Sequence, residues 1–399
     1  MRIAMLTNNY KPYIGGVPVS IEHLAAALRE RGHVVYVFAP TYENQEEEEY
    51  VIRYPSFPVR IVGAPVPNVC TGIIGEKMQE LGIEVIHVHH PAIVGNVALA
   101  LRQRFGIPVV FTYHTRYEEY LHYISGLKQL EEYTGVFDKY LRYFCRKCDL
   151  LFAPTPGMRE YLVQKGMQTP IEVLPTGIPG ENFYPKKVWA DALRERYLGG
   201  ADYLLITVSR LAKEKNLRFQ MEGLACLKRL LKKKGRTFRH LIIGDGPDRE
   251  ELCRAAAELG LSREVLFIGN VDNREVGNYC AAADAFVFTS KSETQGIVLL
   301  EAMASGLPVI AVDGSGVCDI IVHGKNGYLT DEDAHSWAVH IKECLMDEGG
   351  RNAMRQAARE TAERYSEESV AKWAERYYRE VIVKYHRMTL PASNYGILS

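Results

Sequence analysis

A chain of 399 residues is too long for one ordinary domain and predicts two or three. Hydrophobic residues make up 47% and charged residues 24%, which excludes wholesale disorder, a fibrous repeat and a multi-span membrane protein. The 48 lysines and arginines nearly balance the 49 aspartates and glutamates, so no overall positive charge attracts nucleic acid, and we expect none as a partner.

The first half of the chain predicts a doubly wound α/β domain. An apolar run at 3–6 leads through Gly15 and Gly16 into a helical stretch at 21–29 and a second β-branched run at 34–38. These runs are continuously apolar rather than alternating, which is typical of parallel strands covered on both faces. Three more predicted strands follow, each separated by a helix-length segment, at 85–88, 109–112 and 150–153.

A second series of strands and helices begins near Tyr203. The segment GIPVV at 106–110 has a counterpart, GLPVI, at 306–310, which suggests similar architecture in both halves. The seam is predicted in the Gly/Pro-rich stretch 175–180. The predicted strands of this second domain lie at 204–208, 240–243, 265–268, 285–289 and 309–312.

The last part of the chain reads as a long amphipathic helix. Trp373, Tyr377, Val381 and Tyr385 recur every four residues, so we expect this helix to pack on a domain surface. The predicted organisation is therefore an N-terminal domain at 1–178, a C-terminal domain at 179–365 and a helix at 366–399 that packs on the N-terminal domain.

The strongest chemical signal is the string SETQGIVLLEAMASGLP at 292–308, in which Glu293 and Glu301 lie eight positions apart. A helix beginning near Gln295 has free backbone N–H groups in its first turn, which suit an anion. Glu293 then lies in the preceding loop and Glu301 about two turns along, so both can reach one extended ligand. The alternative is a capping glutamate and a solvated helix glutamate.

Other segments suit a phosphate. Arg210 and Lys215 follow a predicted strand and together offer a bidentate fork and a point charge. Gly244 opens the turn GDGP after the next strand, and Gly15 and Gly16 allow backbone N–H groups to approach a phosphate. Solvated loop cations and ordinary tight turns are the alternatives.

His114 lies at the carboxyl end of a predicted strand, where ligands bind in open α/β sheets. His87, His89 and His90 suggest a metal by composition, but no carboxylate completes a site. Cys145 and Cys148 form a single C-x-x-C without a second pair, so we expect reduced thiols and no metal.

The 292–308 string resembles the nucleotide-sugar signature of the retaining glycosyltransferases of family 4, and the segments at 208–216 and 244–247 match that family in order. The resemblance implies an α/β GT-B fold, with two doubly wound Rossmann-like domains facing a central cleft. It also implies an acceptor-binding N-terminal domain, a donor-binding C-terminal domain, a UDP-sugar as donor substrate, and neither a metal nor another cofactor. The implied roles are Glu293 and His114 at the donor sugar, Glu301 at the ribose, Arg210 and Lys215 at the diphosphate, the backbone of Gln295, Gly296 and Ile297 at sugar and phosphates, and Gly15, Gly16 and Gly244 at phosphate or nucleotide.

The stretch 111–124 is similar to bacterial diacylglycerol glucosyltransferases, which implies transfer of glucose to diacylglycerol at the cytoplasmic leaflet. Seven tyrosines between 113 and 143, interleaved with basic residues, suit a membrane interface, although five acidic residues also fit solvated faces. The open alternatives are a polysaccharide or small-molecule acceptor, another sugar, a nucleotide-sugar epimerase, and nucleotide-sugar binding without transfer. A dinucleotide oxidoreductase is disfavoured because no G-x-G-x-x-G follows the first strand.

The start of the chain, MRIAMLTNNYKPY, lacks the apolar core of about 7 to 15 residues that a signal peptide has. No apolar run approaches the roughly 18 to 20 residues of a membrane-spanning helix. We therefore expect a cytoplasmic protein with peripheral contact to the inner membrane face.

Overall fold

The computed structural model describes residues 1–13, 15–61, 64–68, 71–116, 135–291 and 293–389. Most of the tyrosine-rich segment, including Tyr117, Tyr120, Tyr123 and Tyr133, lies outside these ranges. The chain divides into two compact units. The N-terminal unit comprises Met1–Gly177 together with the final helix, and the C-terminal unit comprises Ile178–Ser366.

The N-terminal unit is built on a seven-stranded parallel sheet with the strand order β3-β2-β1-β6-β7-β8-β9. A separate antiparallel pair, β4 and β5, follows β3. The strands are β1 (Arg2–Leu6), β2 (Val34–Pro40), β3 (Val51–Tyr54), β4 (Ser56–Ile61), β5 (Ala64–Pro67), β6 (Val85–Val88), β7 (Val109–Thr112), β8 (Leu150–Ala153) and β9 (Ile171–Val173).

Helices cover both faces of this sheet, so alternate strand residues enter two different cores. Ile3 and Met5 of β1 pack on one face, whereas Ala4 and Leu6 pack on the other. Because both faces are buried, the central strands are continuously apolar, as the sequence indicated. The helices are α1 (Gly16–Glu30), α2 (Thr71–Glu80), α3 (Val94–Phe105), α4 (Val136–Lys147) and α5 (Pro156–Gln164).

The C-terminal unit has a six-stranded parallel sheet with the order β12-β11-β10-β13-β14-β15. Its strands are β10 (Tyr203–Val208), β11 (Phe238–Ile243), β12 (Val265–Gly269), β13 (Ala285–Phe288), β14 (Val309–Val312) and β15 (Gly327–Thr330). Its helices are α6 (Lys187–Leu198), α7 (Leu217–Lys232), α8 (Arg249–Glu258), α9 (Asn273–Ala282), α10 (Ile297–Ala304), α11 (Ala334–Met346) and α12 (Glu348–Glu363).

The final helix, α13 (Glu367–Thr389), packs in the N-terminal unit beside α1. Its buried face includes Ala374, Tyr378 and Val381, whereas Trp373 remains 37% exposed. The predicted four-residue stripe was therefore wrong at Trp373. A strict spacing of four drifts around a helix with 3.6 residues per turn, so the buried face alternates between spacings of three and four.

In each sheet the strand order reverses beside the first strand of the unit. β1 pairs with both β2 and β6, and β10 pairs with both β11 and β13. The loops that leave two such neighbouring strands diverge to opposite faces and open a crevice at the carboxyl edge, where doubly wound proteins bind ligands. Most of the site residues expected from the sequence follow these strands, whereas His114 follows β7.

Candidate functional site

The loop that follows β10 carries Arg210 and lies directly against the turn that follows β11. The Leu211 amide donates a hydrogen bond to the Asp245 carbonyl over 3.1 Å. Gly244 has φ of 121°, and a Cβ there would lie 2.0 Å from the Ser209 carbonyl oxygen. Glycine is therefore required at Gly244 for the two loops to meet, and the exposed Arg210 lies in the loop that this turn supports.

Lys215 and Glu293 form an ion pair at the reversal point. The Lys215 Nζ lies 2.6 Å from the Glu293 Oε1, and only 20% and 16% of the two side chains are exposed. Burial opposes ionisation of Glu293, but the charge and hydrogen bond of Lys215 and a hydrogen bond from Ser290 outweigh it, and the pKa of Glu293 falls below its usual value. Glu293 is therefore ionised at neutral pH.

A second close approach fixes the backbone around Glu293. Gly316, with φ of 72°, lies where a Cβ would be 2.6 Å from the Glu293 carbonyl oxygen and 2.9 Å from the Gln295 nitrogen. Any side chain at Gly316 would displace the segment that presents Glu293. The sequence analysis missed Gly316, although the G-S-G run at 314–316, one residue beyond β14, is a signal for such a turn.

The helix that carries Glu301 begins two residues later than the sequence indicated. Gly296 has φ of 71°, a left-handed conformation that precedes the helix, so α10 starts at Ile297 and the buried Gln295 belongs to the loop. Glu301 is consequently little more than one turn along α10. Its carboxyl is partly buried, and burial raises its pKa to about 7.

Histidines line the carboxyl edge of the N-terminal sheet. The His89 Nδ1 lies 2.8 Å from the His114 Nε2, and the two rings are stacked with centroids 5.1 Å apart. The His87 ring lies 4.2 Å from that of His89, and its Nδ1 bonds the hydroxyl of Tyr378 on α13 over 2.7 Å. His114 therefore belongs to a packed cluster that also includes the final helix.

The histidine cluster is uncharged at neutral pH. Burial lowers the pKa of His87 to about 3 and that of His90 to about 4. Burial and the neighbouring histidines hold the pKa values of His89 and His114 well below the usual value. Neutral imidazoles exchange single hydrogen bonds with polar ligands but do not attract anions.

The tautomer of His90 follows from its partners. The Asn8 amide donates to the His90 Nδ1 over 3.1 Å, so Nδ1 accepts and Nε2 carries the proton.

Gly15 directly precedes α1 and Gly16 is its first residue, and a Cβ on Gly15 would lie 3.1 Å from the Tyr13 ring.

Models of two protein families match most of the chain. The model for glycosyltransferase family 4 matches residues 14–182, and the model for group 1 glycosyl transferases matches residues 192–361. The alpha-monoglucosyldiacylglycerol synthase of Streptococcus pneumoniae is 31% identical over 78% of this chain and 71% of its own. The chain belongs to glycosyltransferase family 4.

Other comparisons agree with this family assignment. The alpha-monoglucosyldiacylglycerol synthase of Acholeplasma laidlawii is 29% identical over 96% of this chain and 98% of its own. The crystal structure of Anabaena HepE in complex with UDP superposes with a TM-score of 0.76 at 20% identity, covering 95% of this chain and 100% of that one. The two Rossmann-like units are those of the GT-B fold.

The structure sorts the expected site residues of this glycosyltransferase by unit. It pairs Lys215 with Glu293 and sets the Gly244 turn against the loop of Arg210. His114 lies in the N-terminal unit with its histidine neighbours. The C-terminal unit holds Arg210, Lys215, Gly244, Glu293, Gln295, Gly296, Ile297 and Glu301, and the N-terminal unit holds Gly15, Gly16 and His114.

Within the described ranges, no group of three or more His, Cys, Asp or Glu residues is arranged to hold a metal ion. Burial raises the pKa of Cys145 to about 12 and that of Cys148 well above its usual value, so both thiols stay protonated. Of the helices that the structure describes, none combines the length and hydropathy needed to span a bilayer.

Proposed function

We propose that this glycosyltransferase transfers glucose from UDP-glucose to diacylglycerol with retention of anomeric configuration. The observation that carries the proposal is the contact of 2.6 Å between Lys215 and Glu293. A cation for the donor phosphate and a carboxylate for the sugar hydroxyls meet there, at the reversal point of the C-terminal sheet. In a nucleoside diphosphate sugar, the phosphate and a sugar hydroxyl are carried by adjacent carbon atoms. One ligand can therefore bind Lys215 through its phosphate and Glu293 through its hydroxyls.

The remaining groups extend the donor site on either side of that pair. Arg210 supplies a planar fork for the second phosphate. The amides that open α10, at Gly296 and Ile297, face the developing negative charge. Glu301 accepts hydrogen bonds from the ribose hydroxyls, and the Gly244 turn borders the nucleotide.

Catalysis in this proposal is electrostatic. Cleavage of the sugar–phosphate bond places negative charge on the diphosphate, which Arg210, Lys215 and the start of α10 stabilise without a metal or another cofactor. The sugar passes through an oxocarbenium-like state. No side chain is assigned as a covalent nucleophile; the acceptor attacks from the face that the diphosphate leaves, and a departing phosphate oxygen takes its proton. The neutral His114 holds a hydroxyl of the donor sugar.

The acceptor rests on two supports. Two relatives that align with most of the chain are described as alpha-monoglucosyldiacylglycerol synthases. In addition, one face of α4 exposes Val136, Lys139, Tyr143, Arg146 and Lys147. An exposed aromatic among cations suits the interface of an anionic membrane, where diacylglycerol resides. We therefore propose peripheral contact with the inner membrane face through α4.

The decisive experiment measures UDP release from UDP-glucose with and without diacylglycerol in mixed micelles. We expect lipid-dependent release that the Glu293→Ala variant lacks. Release that ignores lipid would point to a soluble acceptor, and release from GDP-mannose alone would overturn the UDP-sugar donor. Donor binding without turnover of any acceptor would favour a sensor. The anomer of the purified glycolipid, read by its proton coupling constant, tests retention.

Vesicle sedimentation tests the membrane contact. Because each cation near an anionic surface contributes about 1 kcal/mol, Arg146→Glu with Lys147→Glu should weaken binding to vesicles containing phosphatidylglycerol by at least about 25-fold. The matched control is Lys232→Glu with Lys233→Glu, a cationic pair at the end of α7. Equal loss in both double variants would argue against α4 as the contact surface.

A further inference from the structure

A buried polar network lies next to the turn at 212–216, called here the Lys215 turn. Thr207, Gln220, His240 and Thr289 are each at most 1% exposed. The Gln220 Nε2 donates to the Thr207 Oγ1 over 2.6 Å, and the Thr207 hydroxyl donates to the Val287 carbonyl over 2.7 Å. The His240 Nε2 lies 3.0 Å from the same Thr207 Oγ1. The network thus joins β10, β11, α7 and β13.

Thr289 connects this network to the donor site. Its hydroxyl lies 2.9 Å from the Lys215 carbonyl oxygen and 3.2 Å from the Gln220 Oε1, and it shares its proton between these two acceptors. The next residue adds a weaker tether, because the Ser290 hydroxyl, which also bonds Glu293, lies 3.3 Å from the Glu214 carbonyl oxygen. Thr289 and Ser290 leave β13 four and three residues before Glu293, so the same segment carries the carboxylate and holds its cation.

Burying the polar groups of this network has a free-energy cost that a purely apolar core would avoid. Gln220 lies on the face of α7 that also carries Leu217, Met221 and Leu224, all buried. An apolar residue would fill that position without the cost of burying an amide. The Gln220 amide instead fixes the orientation of its partners, because its Nε2 donates to Thr207 and its Oε1 accepts from Thr289.

We propose that Thr289 is a positioning residue. Its hydroxyl, which also bonds Gln220, fixes the turn at 212–216 so that the Lys215 side chain reaches Glu293. Thr289 acts on the donor through Lys215 and not by contact. This inference rests on the proposed function for one step, the assignment of Lys215 to the donor phosphate. Its structural content is the tether between the Thr289 hydroxyl and the Lys215 carbonyl.

Calorimetric titration with UDP measures the consequence. Thr289→Val keeps the shape of the side chain and removes the hydroxyl, and we expect UDP affinity to fall about three- to tenfold, as the loss of one hydrogen bond predicts. Thr289→Ser restores the hydroxyl and should recover most of the affinity. The matched control is Thr361→Val on α12, where a buried hydroxyl also makes two hydrogen bonds, to Ala357 and from Asn326.

A double-mutant cycle separates positioning from general weakening of the fold. If Thr289 acts through Lys215, Thr289→Val should cost no further UDP affinity once Lys215→Ala is in place. An equal loss in both backgrounds would overturn the proposal. So would equal losses in Thr289→Val and Thr361→Val.

Hydrogen exchange of the peptide 212–217 tests the hydrogen bond between Thr289 and the Lys215 carbonyl in the absence of any ligand. The Lys215 and Asn216 amides bond to the Ala212 and Lys213 carbonyls in the turn that Thr289 holds. Thr289→Val should accelerate their exchange at least about threefold, whereas Thr361→Val should not. If the unmodified protein fails to bind UDP, the proposed donor fails, and unchanged exchange at 212–217 would separately overturn the positioning role.

Discussion

The carboxyl edges of the two parallel sheets carry opposite kinds of polar chemistry. At the C-terminal sheet, Lys215 and Glu293 form an ion pair, and burial does not keep Glu293 from ionising. At the N-terminal sheet, His89 and His114 are stacked, hydrogen-bonded and uncharged. The strand order reverses in the same way at both edges, so the difference lies in the side chains that leave the strands.

Under the proposed function, this contrast assigns the two edges to different parts of the donor substrate. A site for a diphosphate needs fixed positive charge, and a buried cation survives only beside a carboxylate. A site for a sugar hydroxyl needs single hydrogen bonds without charge, which neutral imidazoles supply. The same strand-order reversal thus occurs in both sheets, and we expect residue chemistry to determine what each edge binds.

The largest expected effect comes from removing charge at the C-terminal edge. Lys215→Met should lower turnover of the proposed UDP-sugar donor about 10²- to 10³-fold, because the proposed phosphate site loses a cation where solvation is poor. It should also destabilise the unit, since Glu293 is left unpaired. UDP release and the urea midpoint measure the two effects.

The double variant Lys215→Met with Glu293→Gln serves as the control for that prediction. Removing both charges should restore most of the stability but none of the activity. Recovery of activity together with stability would mean that the pair is only structural.

A smaller effect is expected at the uncharged edge. His114→Phe removes the neutral hydrogen bond that we propose to the donor sugar, so kcat should fall about ten- to hundredfold. In the unmodified protein, kcat should show no histidine titration between pH 6 and 8, because the pKa of His114 lies well below 6.5. A pH profile of kcat checks this, with the exposed His335→Phe as control. A step near pH 6.5 that His114→Phe abolishes would contradict a neutral cluster.

Much of both sheets could be predicted from sequence, because the central strands are buried on both faces and are therefore continuously apolar. The strands missed lie at sheet edges or are short. β3 contains Arg53 and has only one buried residue, β9 has three residues, and β15 begins with Gly327. Half-buried strands lack the unbroken apolar run on which the prediction relied.

The candidate site was predictable as motifs but not as contacts. Lys215 and Glu293 are 78 positions apart, and they meet because β10 pairs with β13 and not only with β11. That pairing is a consequence of tertiary packing, which no local pattern specifies. A polar Gln220 within the apolar face of α7 was the available signal for the network beneath Lys215, and it was missed.

The pH dependence of stability tests the burial of Glu301, the second carboxyl of the proposed donor site. Burial raises the pKa of Glu301 to about 7, so the folded state binds a proton more tightly than the unfolded state. Glu301 should therefore stabilise the fold below its unfolded pKa, and this stability should be lost as pH rises toward 7. Allowing for solvent at its partly exposed side chain, the loss is about 1 to 2 kcal/mol.

Urea unfolding of Glu301→Gln at pH 5 and pH 8 measures this contribution. Relative to the unmodified protein, Glu301→Gln should gain stability on going from pH 5 to pH 8. Glu258→Gln, an exposed glutamate on α8, should show no such gain. Identical pH slopes for all three proteins would mean that Glu301 is solvated.

The smallest expected effect is the salt dependence of donor binding. Arg210 is exposed, so ions screen the attraction between its charge and the proposed second phosphate, and UDP affinity should fall about two- to fourfold between 50 and 500 mM NaCl. Arg210→Gln should flatten this dependence because it removes the exposed cation. His114→Phe should leave the slope unchanged, since a neutral imidazole has no charge to screen. If His114→Phe alters the salt dependence and Arg210→Gln does not, the charge that attracts the donor would lie at the N-terminal edge, contrary to the prediction.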